Sequence, residues 1–241
     1  MEIRGIFFDL GGTLFHYEGA QQRARRALMT AVTRMAGGAP PAREAIGAAY
    51  RQASDEVARR YATLDYYLHA ALFRDTFTRF TELLGIPFDE DAYAVYREAQ
   101  HSDVVDGLSL KDDCHETLRT LRQRGLYLSI VSNIDEDMLQ PLVQRERLHD
   151  WLHHWTSSEA AGSCKPHRRF FEVSLEKAGL APEHVLFVGD SPEHDVNGAA
   201  ALGMRTVLIR NGDSAPPLQS GAATVEPDFI IHRLSELTQL V

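Results

Sequence analysis

The sequence predicts an α/β fold, a doubly wound parallel sheet with a helical subdomain inserted after its first strand. Three features point there. Four short apolar runs, "IFF" at 6–8, "LYLSIV" at 126–131, "VLFV" at 185–188 and "TVLI" at 206–209, lack strict alternation, which suits strands covered by helices on both faces. Helix-period patterns separate the later runs. The stretch from about Glu18 to His101 holds no convincing strand.

Taken in order, the first run ends in Asp9, followed closely by Gly11 and Gly12. The next segment is rich in Ala, Arg, Glu and Tyr, and "PP" at 40–41 and "GIP" at 85–87 divide it into about four helices. The expected organisation is a core of residues 1–16 and 103–241 and an inserted subdomain of residues 17–102, with hinges near Phe15 to Glu18 and Ser102 to Gly107. Cys114, Leu118 and Leu121 then share one helix face, and Gly125 caps that helix before the second run. Leu139, Leu142 and Val143 mark another helix. Phe171, Leu175 and Ala178 mark a third, closed by Gly179 ahead of the last two runs. "SAPPLQSGAATVEPD" at 214–228 reads as a surface loop.

The composition narrows the function. A chain of 241 residues with 44% hydrophobic and 24% charged residues can build a full globular core. Its net charge of -9 argues against a general nucleic-acid binder, which needs a basic footprint. Only two cysteines, Cys114 and Cys164, imply no disulfide framework and point to a reducing cytoplasm. No apolar segment approaches the roughly 20 residues that span a bilayer, and the first residues do not read as a signal peptide.

In an open parallel sheet, ligands bind beyond the carboxyl ends of the strands. There the sequence places Asp9 after the first run, Ser132 and Asn133 after the second, and Asp190 after the third. Carboxylates gathered at one rim call for a cation, and Mg2+ suits oxygen ligands. Gly11 and Gly12 let the main chain approach an anion closely. Lys165, ahead of Pro166 and a helix, offers a compact charge for a phosphate and a carboxylate together.

These pieces, "DLGGT", "SN" at 132–133, "KP" at 165–166 and "GDSPEHD" at 189–195, resemble in order the motifs of the haloacid dehalogenase superfamily. The inserted helices stand where that family's C1 cap stands. The resemblance implies a Mg2+-dependent phosphohydrolase acting on a small phosphorylated substrate through an aspartyl phosphate. Asp9 would be the nucleophile, Ser132 would bond the transferring phosphoryl group, and Lys165 would balance its charge. Gly12 and Asn133 would bind substrate. Asp9, the Gly11 carbonyl, Asp190 and Asp195 would hold the metal.

One departure stands out. Phosphatases of this family commonly carry an aspartate two positions after the nucleophile as general acid, and this chain has Gly11 there. Acid–base help is worth about 10²–10⁴-fold, so its loss needs an answer. A neighbour such as His16 could substitute, the substrate could carry a good leaving group, or the protein could bind phospholigands without turnover. The family's metal-independent 2-haloacid dehalogenases also lack this aspartate. Against that reading, "GDSPEHD" keeps the acidic pattern, and Phe170 and Phe171 stand near where a dehalogenase tyrosine is expected.

Other candidates are weaker. His149 and His153 in "HDWLHHW" have the spacing of a helical metal pair but no third ligand. Cys164 reads as an inert thiol. Tyr66, Tyr67, His69 and Arg74 lie in the insertion, where some side chain is expected to select the leaving group.

Overall fold

Each of the four apolar runs becomes a strand of one parallel sheet. The computed structural model describes residues 2–17, 22–38, 40–210, 218, 219 and 221–241. The chain begins with β1 (Gly5–Phe8) and a short β2 (Phe15–His16), followed by four helices: α1 (Gln22–Met35), α2 (Arg43–Tyr61), α3 (His69–Leu83) and α4 (Glu90–Val105). Next come β3 (Ser109–Leu110), α5 (Cys114–Gln123), β4 (Tyr127–Ser132) and α6 (Glu136–Arg145). Then follow β5 (His154–Ser157), α7 (Ser158–Ala161), α8 (Arg168–Ala178), β6 (Val185–Gly189), α9 (Asn197–Ala200), β7 (Arg205–Ile209) and β8 (Phe229–Ile231).

The six-stranded sheet has the order β5-β4-β1-β6-β7-β8 with every pairing parallel. β1 lies between β4 and β6, so the winding direction reverses beside it. That switch point opens a crevice at the strand ends. Phe8 pairs with both Ile130 and Val188, which brings Asp9, Ser132 and Asp190 to the same rim. All four residues of β1 and all five of β6 are buried, as strands covered on both faces require.

One face packs Phe7 with Phe170, Phe171, Phe187 and Val131. Burying such a side chain stabilises by about 1.5–3 kcal/mol. The three helices read from apolar spacing appear as α5, α6 and α8, and Gly125 and Gly179 end the first and third with φ of 83° and 63°. That conformation strains any residue with a Cβ. β5 escaped the apolar pattern because it reads "HWTS" and forms a sheet edge. β8 forms the other edge, and its Ile230 remains 45% exposed. Residues 214–217 and 220 of the expected surface loop lie outside the described residues, while 221–226 are exposed without regular structure.

The chain divides into two compact units. The first comprises Met1–Tyr17, Asp65–Tyr67 and Ser109–Val241 and carries the sheet; the second comprises Glu18–Leu64 and Leu68–Leu108 and carries α1 to α4. Within the first unit, β2 pairs antiparallel with β3, so the strands flanking the insertion in sequence run side by side. The second unit has its own core, with Leu28, Val32, Ile46, Ala53, Phe77, Phe80 and Tyr96 buried together. The N-terminal turn of α1 is tied by Asp103, whose carboxylate accepts from the N–H groups of Arg23 and Ala24. Those N–H groups have no partner inside their own helix.

Candidate active site

Asp9 follows β1 and is almost fully buried. The chain then turns sharply, with Leu14 N and Phe15 N both donating to Leu10 O. In this turn Gly12 takes φ 71°, and a Cβ there would meet Asp190 Oδ2 at 2.0 Å. Glycine is therefore demanded twice, by backbone conformation and by the carboxylate packed against it.

Two side chains converge on one oxygen of Asp9. Ser132 Oγ, from the end of β4, donates to Asp9 Oδ1 at 2.8 Å, and Lys165 Nζ donates to the same atom at 2.6 Å. Lys165 Nζ also donates to Asp195 Oδ1 at 2.6 Å and sits 5.4 Å from the centre of the Phe187 ring. The lysine is held from behind. Asn133 Oδ1 accepts from Lys165 N at 2.7 Å and Asn133 Nδ2 donates to Lys165 O at 3.1 Å. Asn133 thus spends its side-chain amide on positioning the lysine.

After β6, Ser191 begins a single π-helical turn, Pro192–Val196. Ser191 Oγ accepts from His194 N, and Ser191 N donates to Asp195 Oδ2 at 2.9 Å. This turn swings Asp195 back towards Lys165. Ligand oxygens of Asp9, Asp190 and Asp195 all lie within 4.8 Å of one another.

The electrostatics follow from crowding charge in a dry site. Burial alone would push the Lys165 ammonium down, but the carboxylates of Asp195 and Asp9 outweigh it and hold it above its ordinary value. Asp190 goes the other way. Burial, then the charges of Asp9 and Asp195, push its carboxyl well above the usual range. Asp195 is raised by burial and Asp9, although Lys165 opposes the rise. Lys111, also buried, is lowered by burial while Asp190 and Asp113 attract it. Three carboxylates against one ammonium, bonded to Asp9 and Asp195, leave surplus negative charge. A hard divalent cation with oxygen ligands fits that donor set.

The remaining candidates fall elsewhere. His16 lies in β2 and pairs through its backbone with Ser109. Phe170 and Phe171 are core residues. His149 sits in a 3₁₀ turn that ends at Asp150, so it shares no helix with His153, whose ring stacks on Tyr127. Cys164 is buried, and burial raises its thiol. Tyr66 is 39% exposed, whereas Tyr67 is buried, with its carbonyl facing Cys164 Sγ at 3.7 Å. Arg74 pairs with both carboxylate oxygens of Glu90 and lies over the rings of Phe88 and Tyr93.

Tyr17 is the residue that motif reading missed. Its ring lies against Gly11 and Gly12: a Cβ on Gly11 would meet Tyr17 Cε1 at 2.8 Å and its hydroxyl oxygen at 3.1 Å. Its hydroxyl bonds Asp190, and burial together with Asp190, Asp9 and Asp195 raises the phenol far above its ordinary value. Its only signal in the sequence was an aromatic side chain directly after the glycine turn and β2.

The sequence pattern of haloacid dehalogenase-like hydrolases matches residues 3–203. The chain belongs to that family. Among curated relatives, a ribulose-1,5-bisphosphate 5-phosphatase of Halopiger xanaduensis is 29% identical over 98% of both chains. An (S)-2-haloacid dehalogenase of Pseudomonas sp. strain YL is 30% identical over 86% of this chain and 82% of its own. Among solved structures, the HAD-hydrolase YfnB of Bacillus subtilis, bound to magnesium, superposes with a TM-score of 0.74 at 20% identity, covering 100% of this chain and 99% of its own. Family membership establishes a hydrolase, and its relatives include both phosphatases and dehalogenases. No helix among the described residues is long and apolar enough to cross a membrane.

Proposed function

We propose that this chain is a Mg2+-dependent phosphohydrolase of small phosphorylated metabolites, with Asp9 as its nucleophile. The observation that carries the reading is the convergence of Ser132 Oγ and Lys165 Nζ on Asp9 Oδ1. Both bonds orient the carboxylate through one oxygen and leave Oδ2 to attack phosphorus. The bond from phosphorus to the leaving oxygen breaks as the bond to Asp9 forms, giving an aspartyl phosphate. Water then attacks phosphorus and restores the carboxylate.

Lys165 stays protonated throughout and screens the repulsion between a carboxylate and a phosphate dianion. The main chain at Gly12, and Ser132 Oγ once it turns from Asp9, would donate to the phosphoryl oxygens. Asn133 would serve by fixing Lys165, so that any phosphate contact from it falls to its main-chain N–H. Asp9, Asp190 and Asp195, with the Gly11 carbonyl, would hold Mg2+, which when bound supplies charge neutralisation at the phosphoryl group. The helical insertion is assigned the role of a cap that restricts which phosphate esters react. Full-length similarity to a ribulose-1,5-bisphosphate phosphatase supports a phosphorylated sugar as the substrate class.

A second reading has two observations in its favour, the dehalogenase relative and the absent side chain at Gly11. Asp9 would then displace halide at carbon without metal. The cluster of Asp9, Asp190 and Asp195 weighs against it, since carboxylates crowded this closely gain most from a cation.

The test measures phosphate release from p-nitrophenyl phosphate and ribulose 1,5-bisphosphate with Mg2+, with chelator and Asp9→Asn as controls. Metal-dependent turnover that vanishes in Asp9→Asn is expected. Chelator-insensitive halide release from 2-chloropropionate would replace this reading with the second. Phosphate binding without turnover of either ester would make the chain a binding protein.

A further inference from the structure

Gly11 leaves a space beside the carboxylate cluster, and one side chain fills it. The Tyr17 hydroxyl oxygen stands 3.1 Å from where a Cβ of residue 11 would be, about where the polar end of a longer residue at 11 would reach. Its ring covers both glycines of the turn, and its hydroxyl bonds Asp190. Tyr17 as a residue remains 37% exposed, while its hydroxyl end is turned in against Asp190.

We propose that Tyr17 is a catalytic residue of this site, its phenol O–H turning from Asp190 to donate a hydrogen bond to the leaving oxygen of a phosphorylated alcohol. The inference rests on the phosphohydrolase reading and deepens it. As the bond from phosphorus to the leaving oxygen breaks, its electron pair goes to that oxygen. Tyr17 stabilises the developing alkoxide through its hydrogen bond and keeps its own proton, while a solvent water supplies the proton that completes the alcohol. A pre-placed donor aimed at developing oxyanion charge is typically worth about 10²–10³-fold. A donor that must give up its bond to Asp190 to reach the leaving oxygen falls at or below the lower end of that range.

The experiment compares wild type, Tyr17→Phe, Gly11→Asp and the double variant on ribulose 1,5-bisphosphate and on p-nitrophenyl phosphate. The alkyl leaving group needs help to depart; the nitrophenolate does not. Tyr17→Phe should lower kcat on the sugar phosphate by about 10–10²-fold and change the aryl ester less than about threefold. Because a Cβ at position 11 collides with the Tyr17 ring, Gly11→Asp should displace the phenol, and adding Tyr17→Phe to it should then have no further effect.

Magnesium affinity, measured by calorimetry, separates this role from simple support of Asp190. A Tyr17→Phe protein that loses Mg2+ affinity and slows both esters equally would overturn the proposal in favour of positioning. Equal or faster sugar-phosphate turnover would make the tyrosine an obstruction. If wild type hydrolyses neither ester, the phosphohydrolase reading falls and this role with it. If wild type hydrolyses both and Tyr17→Phe matches it, only this role falls.

Discussion

The exposed ion pairs of the helical unit and the buried Lys165 cluster of the α/β unit use the same chemistry in opposite surroundings. In the helical unit, Arg74 meets Glu90 at 47% and 66% side-chain exposure, and Arg34 meets Asp91 on an equally open surface. In the α/β unit, Lys165 is 3% exposed between Asp9 and Asp195. Exposed pairs gain little, because water already solvates each charge well and salt screens them. The buried cluster has given up that solvation, and its charges do not balance. Such an arrangement is costly to stability and is expected where charge is needed for chemistry.

The contrast is sharpest at Lys165. Lys165→Met should reduce any phosphatase turnover by about 10³-fold or more. It leaves Asp9 and Asp195 without their shared cation, so metal-free protein should lose about 3–5 kcal/mol in a denaturant titration. A variant that kept wild-type stability would mean that the carboxylates simply take up protons instead.

The imbalance also predicts how metal and pH interact. The raised carboxyls of Asp190 and Asp195 bind protons more tightly in the folded than in the unfolded chain. Their contribution is therefore complete at low pH and is lost as pH rises from about 4 through about 6 for Asp195 and about 8 for Asp190. Mg2+ needs the ionised groups, so its stabilising effect should grow over the same window. At a hundredfold excess over its dissociation constant it is worth about 2.7 kcal/mol. Thermal shifts at pH 5.5 and 8 would show this; equal shifts at both would rule out protonated carboxyls as the competitors.

His154 shows what burial does to a group that can discard its charge. Its Nδ1 meets the Tyr127 hydroxyl, its buried Nε2 has no hydrogen-bond partner among the described residues, and Phe7 packs edge-on against its ring. Burial, then Lys177 and His153, lower it from 6.5 to about 4. A depressed histidine stays neutral in the fold while the unfolded chain takes up a proton. Stability should therefore fall as pH drops from 6.5 to 4, by about 1–3 kcal/mol after allowing for partial solvation. His154→Gln should flatten that part of the pH–stability curve.

The smallest effect belongs to the exposed pairs. Arg74→Ala should move Tm by no more than about 2 °C through its charge, with any further loss traceable to packing over Phe88 and Tyr93. A large, salt-sensitive drop would mean that the helical unit depends on its surface charges after all.

The central strands were legible because each is covered on both faces, which leaves an unbroken apolar run in sequence. The edge strand β5 left no apolar run, since a strand at a sheet edge can be built from His, Trp, Thr and Ser, and only the entry of "HDWLHHW" into a strand could be read. The same asymmetry governs the site. Asp9, Ser132 and Asp190 could be read because strand ends fix their place along the chain. The use of Asn133 could not, because its amide turns away to the main chain of Lys165, 32 positions on.

By itself, then, the sequence determined the α/β class, the helical insertion and the acidic rim, since periodicity and strand termini are local properties of the chain. Tertiary structure alone decided that one lysine bridges Asp9 and Asp195, that Asn133 holds that lysine, and that Tyr17 fills the space at Gly11. Each of these depends on a distance between residues brought together by folding, and no spacing along the chain encodes it.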